Sequence, residues 1–309
     1  MGRTVFLILS AVLTALLLVP LLGSRYLIDL STEVLIYALF ALSLNLLIGY
    51  AGNVSFGHAA YFAIGGYGCA ILLTTYQWPL LLSFPAAILL SGVAALLIGF
   101  FCVRLTAIYF AMLTLAFAML VWSVAFKWRS LTGGDDGFVG VAMPAFLEDR
   151  TAFFYFVLSV VALSTAALWL ICHSAFGRTL VAVRENPMRA GFVGVDTRRM
   201  RLLAFVIAGS FAGVAGALFA LYNRGMYTES AFWTESAQVL IMTLLGGMYS
   251  FFGPALGAAV LYLLDVTINQ YTEYWPTVLG TILLAILLLL PEGLVGLAQR
   301  LGLNSRKRF

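Results

Sequence analysis

The chain has 309 residues, of which 63% are hydrophobic and only 10% are charged. Because a soluble domain carries about 25% charged residues, this composition excludes an ordinary water-soluble fold and predicts a chain surrounded by lipid. The net charge of +4 does not indicate nucleic-acid binding, since basic residues near the ends of membrane spans serve to set orientation.

Ten apolar segments predict an all-α integral membrane protein, a polytopic bundle of about ten transmembrane helices. A spanning helix needs about 20 residues, and the predicted spans are 5–22, 34–50, 54–73, 80–103, 106–126, 151–172, 202–222, 238–249, 252–271 and 277–290. The first lacks a small-x-small cleavage site, which favours a retained helix over a signal peptide. Segments 54–73 and 238–249 are glycine-rich or short, so they can be re-entrant or broken, which leaves eight to ten spans.

The basic residues predict the orientation. With both termini in the cytoplasm, twelve of the 17 Lys and Arg residues lie inside and five outside, as the positive-inside rule favours. The most basic connection, residues 174–201, is predicted to be a cytoplasmic loop, and residues 127–150 are predicted to form an external loop. We expect residues 1–309 to form one transmembrane domain.

Two stretches resemble each other and predict a possible internal repeat. Residues 46–49 (LLIG) precede 55–59 (SFGHA), and residues 244–247 (LLGG) precede 251–255 (FFGPA). Both begin on a helix predicted to run from outside to inside, so a true repeat would imply a pseudo-two-fold axis along the membrane normal. Chance is an equal explanation, because Leu, Gly, Ala and Phe are abundant here.

The loop 174–201 is too long for a simple turn and carries its own helix signals. Asn186 is a typical N-cap and Pro187 a typical first helical residue. Gly194 is placed to end that short helix in a left-handed conformation, and Asp196 can cap the next transmembrane helix. The sequence therefore predicts a short surface helix over residues 187–193.

This predicted surface helix combines apolar and charged side chains. Met188, Phe192 and Val193 are apolar, and Arg189 is basic. One interpretation is an amphipathic helix lying on anionic lipid. The other is a protruding helix that docks into a soluble partner, and the residues alone leave both open.

The chain shows no pattern typical of catalysis, a cofactor or a metal. His58 and His173 are far apart and lack Cys or carboxylate neighbours at metal-ligand spacing. Lys127 and Lys307 do not end a phosphate-binding glycine loop. We therefore predict no catalytic residues, no cofactor and no metal, and a mainly structural role for each histidine.

Polar residues inside predicted spans are candidates for a translocation path. A charge at the bilayer centre costs roughly 2.5–3.5 kcal/mol, so Asp265 should face the bundle interior or water, or be protonated. Asn45 poses the same question, and a wet or packed face is the alternative to a solute contact for both. His58, which follows Ser55 and begins a glycine-rich helix, fits either tight packing or a pore-lining position.

The external loop contains Thr132, Gly133 and Gly134, followed by Asp135 and Asp136. Glycines permit positive φ and a tight re-entry, so this segment can form an external lip of the path or meet a docking protein. A flexible surface loop with solvent-facing carboxylates is the alternative.

The segment from Arg184-Glu185-Asn186 to Gly194-Val195-Asp196 resembles the cytoplasmic coupling loop of Liv-type permeases, the membrane subunits of ABC importers for branched-chain amino acids. The likeness is to their LivM-like branch and covers about residues 34–298. Further matching pieces are Asn45 with residues 49–52, residues 55–60, Thr132-Gly133-Gly134 with Gly137, Gly246-Gly247 with residues 253–258, and Pro291-x-Gly293-Leu294. The sequence departs from the family at Pro187-Met188-Arg189, where more acidic and alanine-rich residues are common.

The resemblance implies the permease subunit of an ATP-driven importer in the bacterial inner membrane, in which ATP is hydrolysed on other chains. Its implied partners are two ABC ATPase subunits, a second homologous permease and a periplasmic substrate-binding protein, besides membrane lipid and without nucleic acid. ATPase movement would reach the transmembrane helices through the coupling loop.

The resemblance also implies roles for two sets of residues. The coupling set is Arg184, Glu185, Asn186, Pro187, Met188, Arg189, Phe192 and Gly194. The possible translocation-path set is Asn45, Ser55, His58, Thr132, Gly133, Gly134, Gly246, Gly247 and Asp265.

Other functions remain open at this point. Similar permeases import urea, short amides, or aromatic and other organic acids. A secondary transporter or channel without ATPase partners is a different class, but it usually needs intramembrane ionisable relays, and only Asp265, Glu33 and His58 qualify. A membrane enzyme would need a cluster of His, Asp or Glu near one interface, which the sequence lacks.

Overall fold

The computed structural model describes residues 14–105, 107–271, 277–278, 280–281, 283–284, 288 and 293–300. The described helices are α1 Arg25–Asn45, α2 His58–Thr74, α3 Leu80–Cys102, α4 Ala107–Lys127, α5 Arg129–Thr132, α6 Arg150–His173, α7 Ala175–Glu185, α8 Pro187–Phe192, α9 Thr197–Tyr222, α10 Trp233–Gly246, α11 Gly253–Asn269 and α12 Gly293–Arg300. Two short strands, β1 Phe138–Val139 and β2 Gly225–Met226, pair antiparallel. This architecture confirms the predicted helical membrane bundle.

Five described helices are long and apolar enough to cross a membrane. They are Arg25–Tyr50, which is α1 with a terminal π-helical turn, Leu80–Cys102, Ile108–Lys127, Arg150–His173 and Thr197–Tyr222. With 20 to 26 residues each, they are about 30–39 Å long, which matches a hydrocarbon core of about 30 Å. Helices α2 and α11 are apolar but have only 17 residues.

Several helix starts differ from the predicted spans. The first described span begins at Arg25 rather than at residue 34, because Asp29 and Glu33 interrupt the apolar pattern without interrupting the helix. Helix α9 begins at Thr197 rather than at residue 202, because the Asp196 carboxylate accepts the backbone N–H groups of Arg198 and Arg199, both at 3.1 Å.

Three more predicted spans differ in other ways. Segment 238–249 becomes α10, which is shifted towards the N-terminus and has 14 residues. Of segment 5–22, residues 14–18 are helical and a 3-10 turn follows at Val19–Leu22, while its start lies outside the described residues. Half of segment 277–290, seven of its 14 residues, also lies outside them.

Helices α1, α2 and α9 form the centre of the bundle, whereas α3, α4 and α6 lie around it. The apolar windows of α1 and α9 are 83% and 67% buried, against 33% or less for the other three long spans. Glycines allow the close central contacts: a Cβ added at Gly65 in α2 would lie 2.5 Å from Gly213 Cα in α9. The outer helices expose large apolar side chains, among them Leu89, Ile108 and Leu163, as lipid-facing surfaces do.

The two ends of the bundle are distinguished by what connects the helices there. At the ribbon end, strands β1 and β2 pair, and Arg150 forms a 2.5 Å ion pair with Asp29 at the start of α1. At the loop end, α7 and α8 connect α6 to α9, and α7 reaches the last turn of α1. Helix α1 therefore runs from the ribbon end to the loop end.

Two helices, α2 and α10, follow breaks in regular α-helical structure. Helix α2 follows the segment 51–57, whose Phe56 N–H donates to Thr114 Oγ1 of α4 at 3.3 Å. Helix α10 follows a mostly buried 3-10 turn, Thr228–Ala231. It has 14 residues and is therefore only about 21 Å long. The two starts meet, because the Ala59 N–H donates to Ser236 Oγ at 2.8 Å. Buried partners thus satisfy the backbone at these breaks, as a membrane interior requires.

Candidate functional site

Helices α7 and α8 have opposite surroundings. Helix α7 buries Gly177, Leu180 and Val183 against the bundle. Helix α8 turns its apolar side chains outward, with Phe192 85% and Met188 73% exposed. An exposed apolar surface of this kind marks a contact with a partner or with lipid.

The predicted helix signals of this loop are confirmed. Asn186 Oδ1 accepts the Arg189 N–H at 2.9 Å, and Pro187 is the first residue of α8. After α8, Gly194 has a φ of +88°, and the Val195 N–H returns to the Ala190 carbonyl at 3.1 Å. The loop is therefore two helices joined at one capped residue.

Arg184 faces the bundle, unlike its neighbours in the coupling set. Its Nη1 donates to the Gly49 carbonyl at the end of α1, and its guanidinium carbon lies 5.4 Å from the Tyr249 ring centroid. The Arg184 side chain is 22% exposed, against 64% for Glu185, whose carboxylate lies 4.0 Å away. The structure thus separates Arg184 from the outward-facing residues of α8.

The two stretches of the possible repeat lie against each other at the loop end. Asn45 Nδ2 donates to the Ser250 carbonyl at 3.2 Å, and a Cβ at Gly49 would collide with the Met248 carbonyl. Gly246 packs against the Gly253 carbonyl with no room for a side chain, and Gly247 has a φ of +109°. Asn45 therefore lies near Gly246 and Gly247, which come about 200 residues later in the sequence.

His58 lies at the start of α2 and is fully buried. Its Nε2 is 2.8 Å from Ser43 Oγ of α1, and its ring stacks on Phe40 at a centroid distance of 5.3 Å. Its Nδ1 has no hydrogen-bond partner among the described residues. Ser55 is also buried, and its hydroxyl accepts the Gly57 N–H at 3.3 Å. These contacts tie α1 to α2 at the break.

The residues of the predicted external loop form a compact turn beside the ribbon. Thr132 Oγ1 is 2.5 Å from the Ala125 carbonyl and 2.8 Å from the Trp128 carbonyl, so its hydroxyl caps the end of α4. Gly133 and Gly134 have φ values of +80° and +65°, which only glycine adopts readily. The segment from residue 132 to β1 is therefore tightly folded, and the Asp135 and Asp136 side chains are exposed.

Asp265 lines a polar cavity of about 510 Å³ between α1, α10 and α11. The cavity lies in the ribbon-end half of the bundle, and its lining residues are Glu33, Tyr37, Gln238, Tyr262, Asp265, Val266, Asn269 and Gln270. The Glu33 carboxylate accepts hydrogen bonds from Tyr262 and, at 3.3 Å, from Tyr222. Asp265 Oδ1 is buried and has no partner within the described residues.

The sequence anticipated only part of this cavity. The predicted polar stripe, which consists of Asp265, Asn269 and Gln270, forms the side of the cavity that belongs to α11. Tyr262 and Gln238 were missed, although Tyr262 stands three residues before Asp265 and so shares its helix face. The structure places Asp265 and Thr132–Gly134 towards the ribbon end, His58 and Ser55 at the α2 break, and Asn45 with Gly246 and Gly247 at the loop end.

These features define the class of protein: a polytopic helical membrane protein with interrupted central helices, a polar cavity among them and a two-helix surface loop. The family model "Branched-chain amino acid transport system / permease component" matches residues 26–290. The chain belongs to this family of membrane permeases, which confirms the resemblance drawn from the sequence.

Individual relatives agree with the family. The chain is 30% identical over 320 aligned residues to the high-affinity branched-chain amino acid transport system permease protein LivM of Escherichia coli (strain K12), covering 95% of this chain and 75% of LivM. It is 24% identical to LivH of the same strain, over 84% of this chain and 91% of LivH. It is 30% identical to the autoinducer 2 import system permease protein LsrC of Klebsiella pneumoniae, over 55% of this chain and 50% of LsrC. No solved structure matches.

Proposed function

We propose that this chain is the transmembrane permease subunit of an ATP-driven importer that moves branched-chain or related amino acids from the periplasm to the cytoplasm. The observation that carries the proposal is the similarity to LivM, which extends over 95% of the chain. The LsrC match shows that a permease named for a different solute is also similar, so urea, short amides and organic acids remain the alternative substrates.

The proposed orientation places the loop end in the cytoplasm, with both chain termini on that side. Arg178, Arg189, Arg198 and Arg199 all lie at this end, as the positive-inside rule favours. The exposed Met188 and Phe192 of α8 would dock into one of two ATPase subunits, on which ATP is hydrolysed. A docked amphipathic helix buries such apolar side chains in a groove of its partner.

Two further partners complete the proposed importer. LivM and LivH are both named as permeases of the high-affinity branched-chain amino acid transport system in one strain, and this chain is similar to both. That supports a second homologous permease as a partner. At the ribbon end, the exposed Asp135 and Asp136 beside β1 offer a negatively charged contact for a periplasmic binding protein.

The proposed translocation path runs from the polar cavity to the loop end. Asp265 and Glu33 lie in the cavity, and Asn45, Gly246 and Gly247 lie where α1, α10 and α11 converge. His58 and Ser55 support the path by fixing the start of α2, and Thr132–Gly134 shape the external rim. The similarity to a transport-system permease over 95% of the chain favours an importer subunit over a stand-alone carrier.

Co-purification and uptake test the proposal. The tagged chain, expressed with its neighbouring genes, should co-purify with two ATPase subunits and a second permease, and proteoliposomes containing that complex and the binding protein should accumulate labelled leucine only with ATP. Phe192→Asp should abolish ATPase co-purification. Phe146→Asp, a similarly exposed phenylalanine at the ribbon end, should leave co-purification unchanged. ATP-independent uptake by the chain alone would overturn the proposal.

A further inference from the structure

Arg184 connects three parts of the molecule that are distant in sequence. It belongs to α7 of the loop, donates a hydrogen bond to the Gly49 carbonyl in the π-helical turn that follows α1, and lies over the ring of Tyr249 in the turn between α10 and α11. A hydrogen bond from a charged donor is roughly twice as strong as one between neutral groups. One side chain thus holds the loop to two separate helix ends.

Gly52 leaves space for the side chain of Arg184. Gly52 has a φ of +73°, and a Cβ added there would lie 2.6 Å from Arg184 Cγ and 3.3 Å from Arg184 Cβ. The aliphatic stem of Arg184 therefore occupies the space that any other residue at position 52 would fill. The guanidinium reaches Gly49 and Tyr249 because the chain at Gly52 makes room for its stem.

The two segments that Arg184 contacts also close against each other. Asn45 donates to the Ser250 carbonyl, and Gly49 packs on the Met248 carbonyl. Farther along the same helices, α1, α10 and α11 line the polar cavity that contains Glu33 and Asp265. Between the cavity and Arg184 these helices are in contact, so Arg184 lies on the loop side of that contact.

We propose that Arg184 is a positioning residue that transmits movement of the α7–α8 loop to this contact, holding α1 against the α10–α11 turn in one state and releasing them in the other. The inference rests on the proposed function, because the loop must be moved by a partner. Arg184 itself does not dock to that partner: its side chain faces the bundle, and the apolar surface of α8 faces outward. Arginine suits the position because its planar guanidinium holds several donors in a rigid fork and presents a flat face to a ring, whereas a lysine ammonium is a compact point charge.

A buried reporter tests the link without requiring transport. Thr243 of α10 is fully buried, and its hydroxyl lies 3.5 Å from the Ala41 carbonyl of α1, so Thr243→Cys reports separation of these helices. The three native cysteines, all buried, are replaced by alanine, and the importer complex is treated with a membrane-impermeant maleimide. Arg184→Ala should raise the labelling rate about tenfold, within the usual range of coupling between sites.

The matched control is Arg178→Ala, an exposed arginine on the same helix α7. It should leave the labelling rate at the level of the unmodified reporter, and Arg184→Lys should give an intermediate rate. Equal labelling in the Arg184→Ala and Arg178→Ala variants would overturn the inference. If Arg184→Ala accelerates labelling of the reporter but the complex with Arg184 intact does not transport leucine, the result supports the role of Arg184 and counts against the proposed function.

Tyr249→Ala provides a second variant that does not remove a buried group, since Tyr249 is 59% exposed. In the reconstituted importer, Arg184→Ala and Tyr249→Ala should each lower leucine uptake per ATP hydrolysed, by about tenfold and about threefold. The double variant should be no worse than Arg184→Ala alone, because both remove one connection. Independent, multiplicative losses would overturn the inference that Tyr249 acts through Arg184.

Discussion

Helices α6 and α9 are about equally apolar, yet they occupy different surroundings. The apolar window of α9 is 67% buried, and that of α6 is 28% buried. Helix α9 carries three buried glycines, Gly209, Gly213 and Gly216, whereas α6 turns Leu163 and Leu170 outward. Small residues let helices approach closely inside a membrane. Hydropathy therefore places a helix in the bilayer, and side-chain size indicates whether its neighbour is protein or lipid.

The largest expected effect is at the contact between α2 and α9. Gly65→Leu would force a side chain into the backbone of Gly213, where no rotamer change can relieve the clash, so we expect a loss of about 3 kcal/mol or more. Thermal unfolding in detergent measures it. Ala166→Leu on the exposed side of α6 is the control, and equal unfolding temperatures would contradict the assignment of α9 to the protein interior.

A smaller effect separates the two faces of α6 itself. Leu168 is fully buried and Leu163 is 72% exposed. Leu168→Ala should cost about 2 kcal/mol by leaving a cavity, while Leu163→Ala should change stability by less than about 0.5 kcal/mol. The same unfolding measurement compares them. Similar losses for both would mean that the exposed face of α6 is covered by protein in the purified molecule.

The smallest effect concerns hydroxyl groups. Ser91 Oγ of α3 lies 2.9 Å from the Tyr61 carbonyl and 2.8 Å from the Gly209 carbonyl, and so bridges three helices. Ser91→Ala should cost about 1 kcal/mol, the usual range for hydrogen bonds between membrane helices. Ser159→Ala is the control, because that exposed hydroxyl donates to the Phe156 carbonyl of its own helix α6. A larger loss from the Ser159 variant would reverse the expected ranking.

The sequence predicted the features that depend on neighbouring residues. Helices α3, α4 and α6 end within two residues of the predicted spans, because their apolar runs are uninterrupted. The caps of α8 and α9 at Asn186 and Asp196 were also predicted, since an N-cap needs only the next three residues. The predicted start of the α1 span at residue 34 is too late, because Asp29 and Glu33 interrupt the apolar pattern but not the helix.

Features that depend on distant residues could not be predicted. Arg184 was grouped with seven other coupling residues, and its inward orientation depends on a hydrogen bond to Gly49, 135 positions away. The sequence predicted the part of the cavity that Asp265 and Asn269 form, because these residues share a helix face. Glu33 lies on another helix, and only folding brings it next to them. Its contact with Tyr262 spans 229 positions, a distance at which local patterns carry no information.

The hydrogen bond between Ala59 and Ser236 limits how α10 can move. Sliding of α10 along its axis would break this bond, whereas rotation about it would not. Gly246 lies ten residues beyond Ser236, which is about 15 Å along the helix. A rotation of about 10° around Ser236 would therefore shift the far end of α10 by about 3 Å and leave the start of α2 in place. With Ser236 held by this bond, the two ends of α10 need not move by equal amounts.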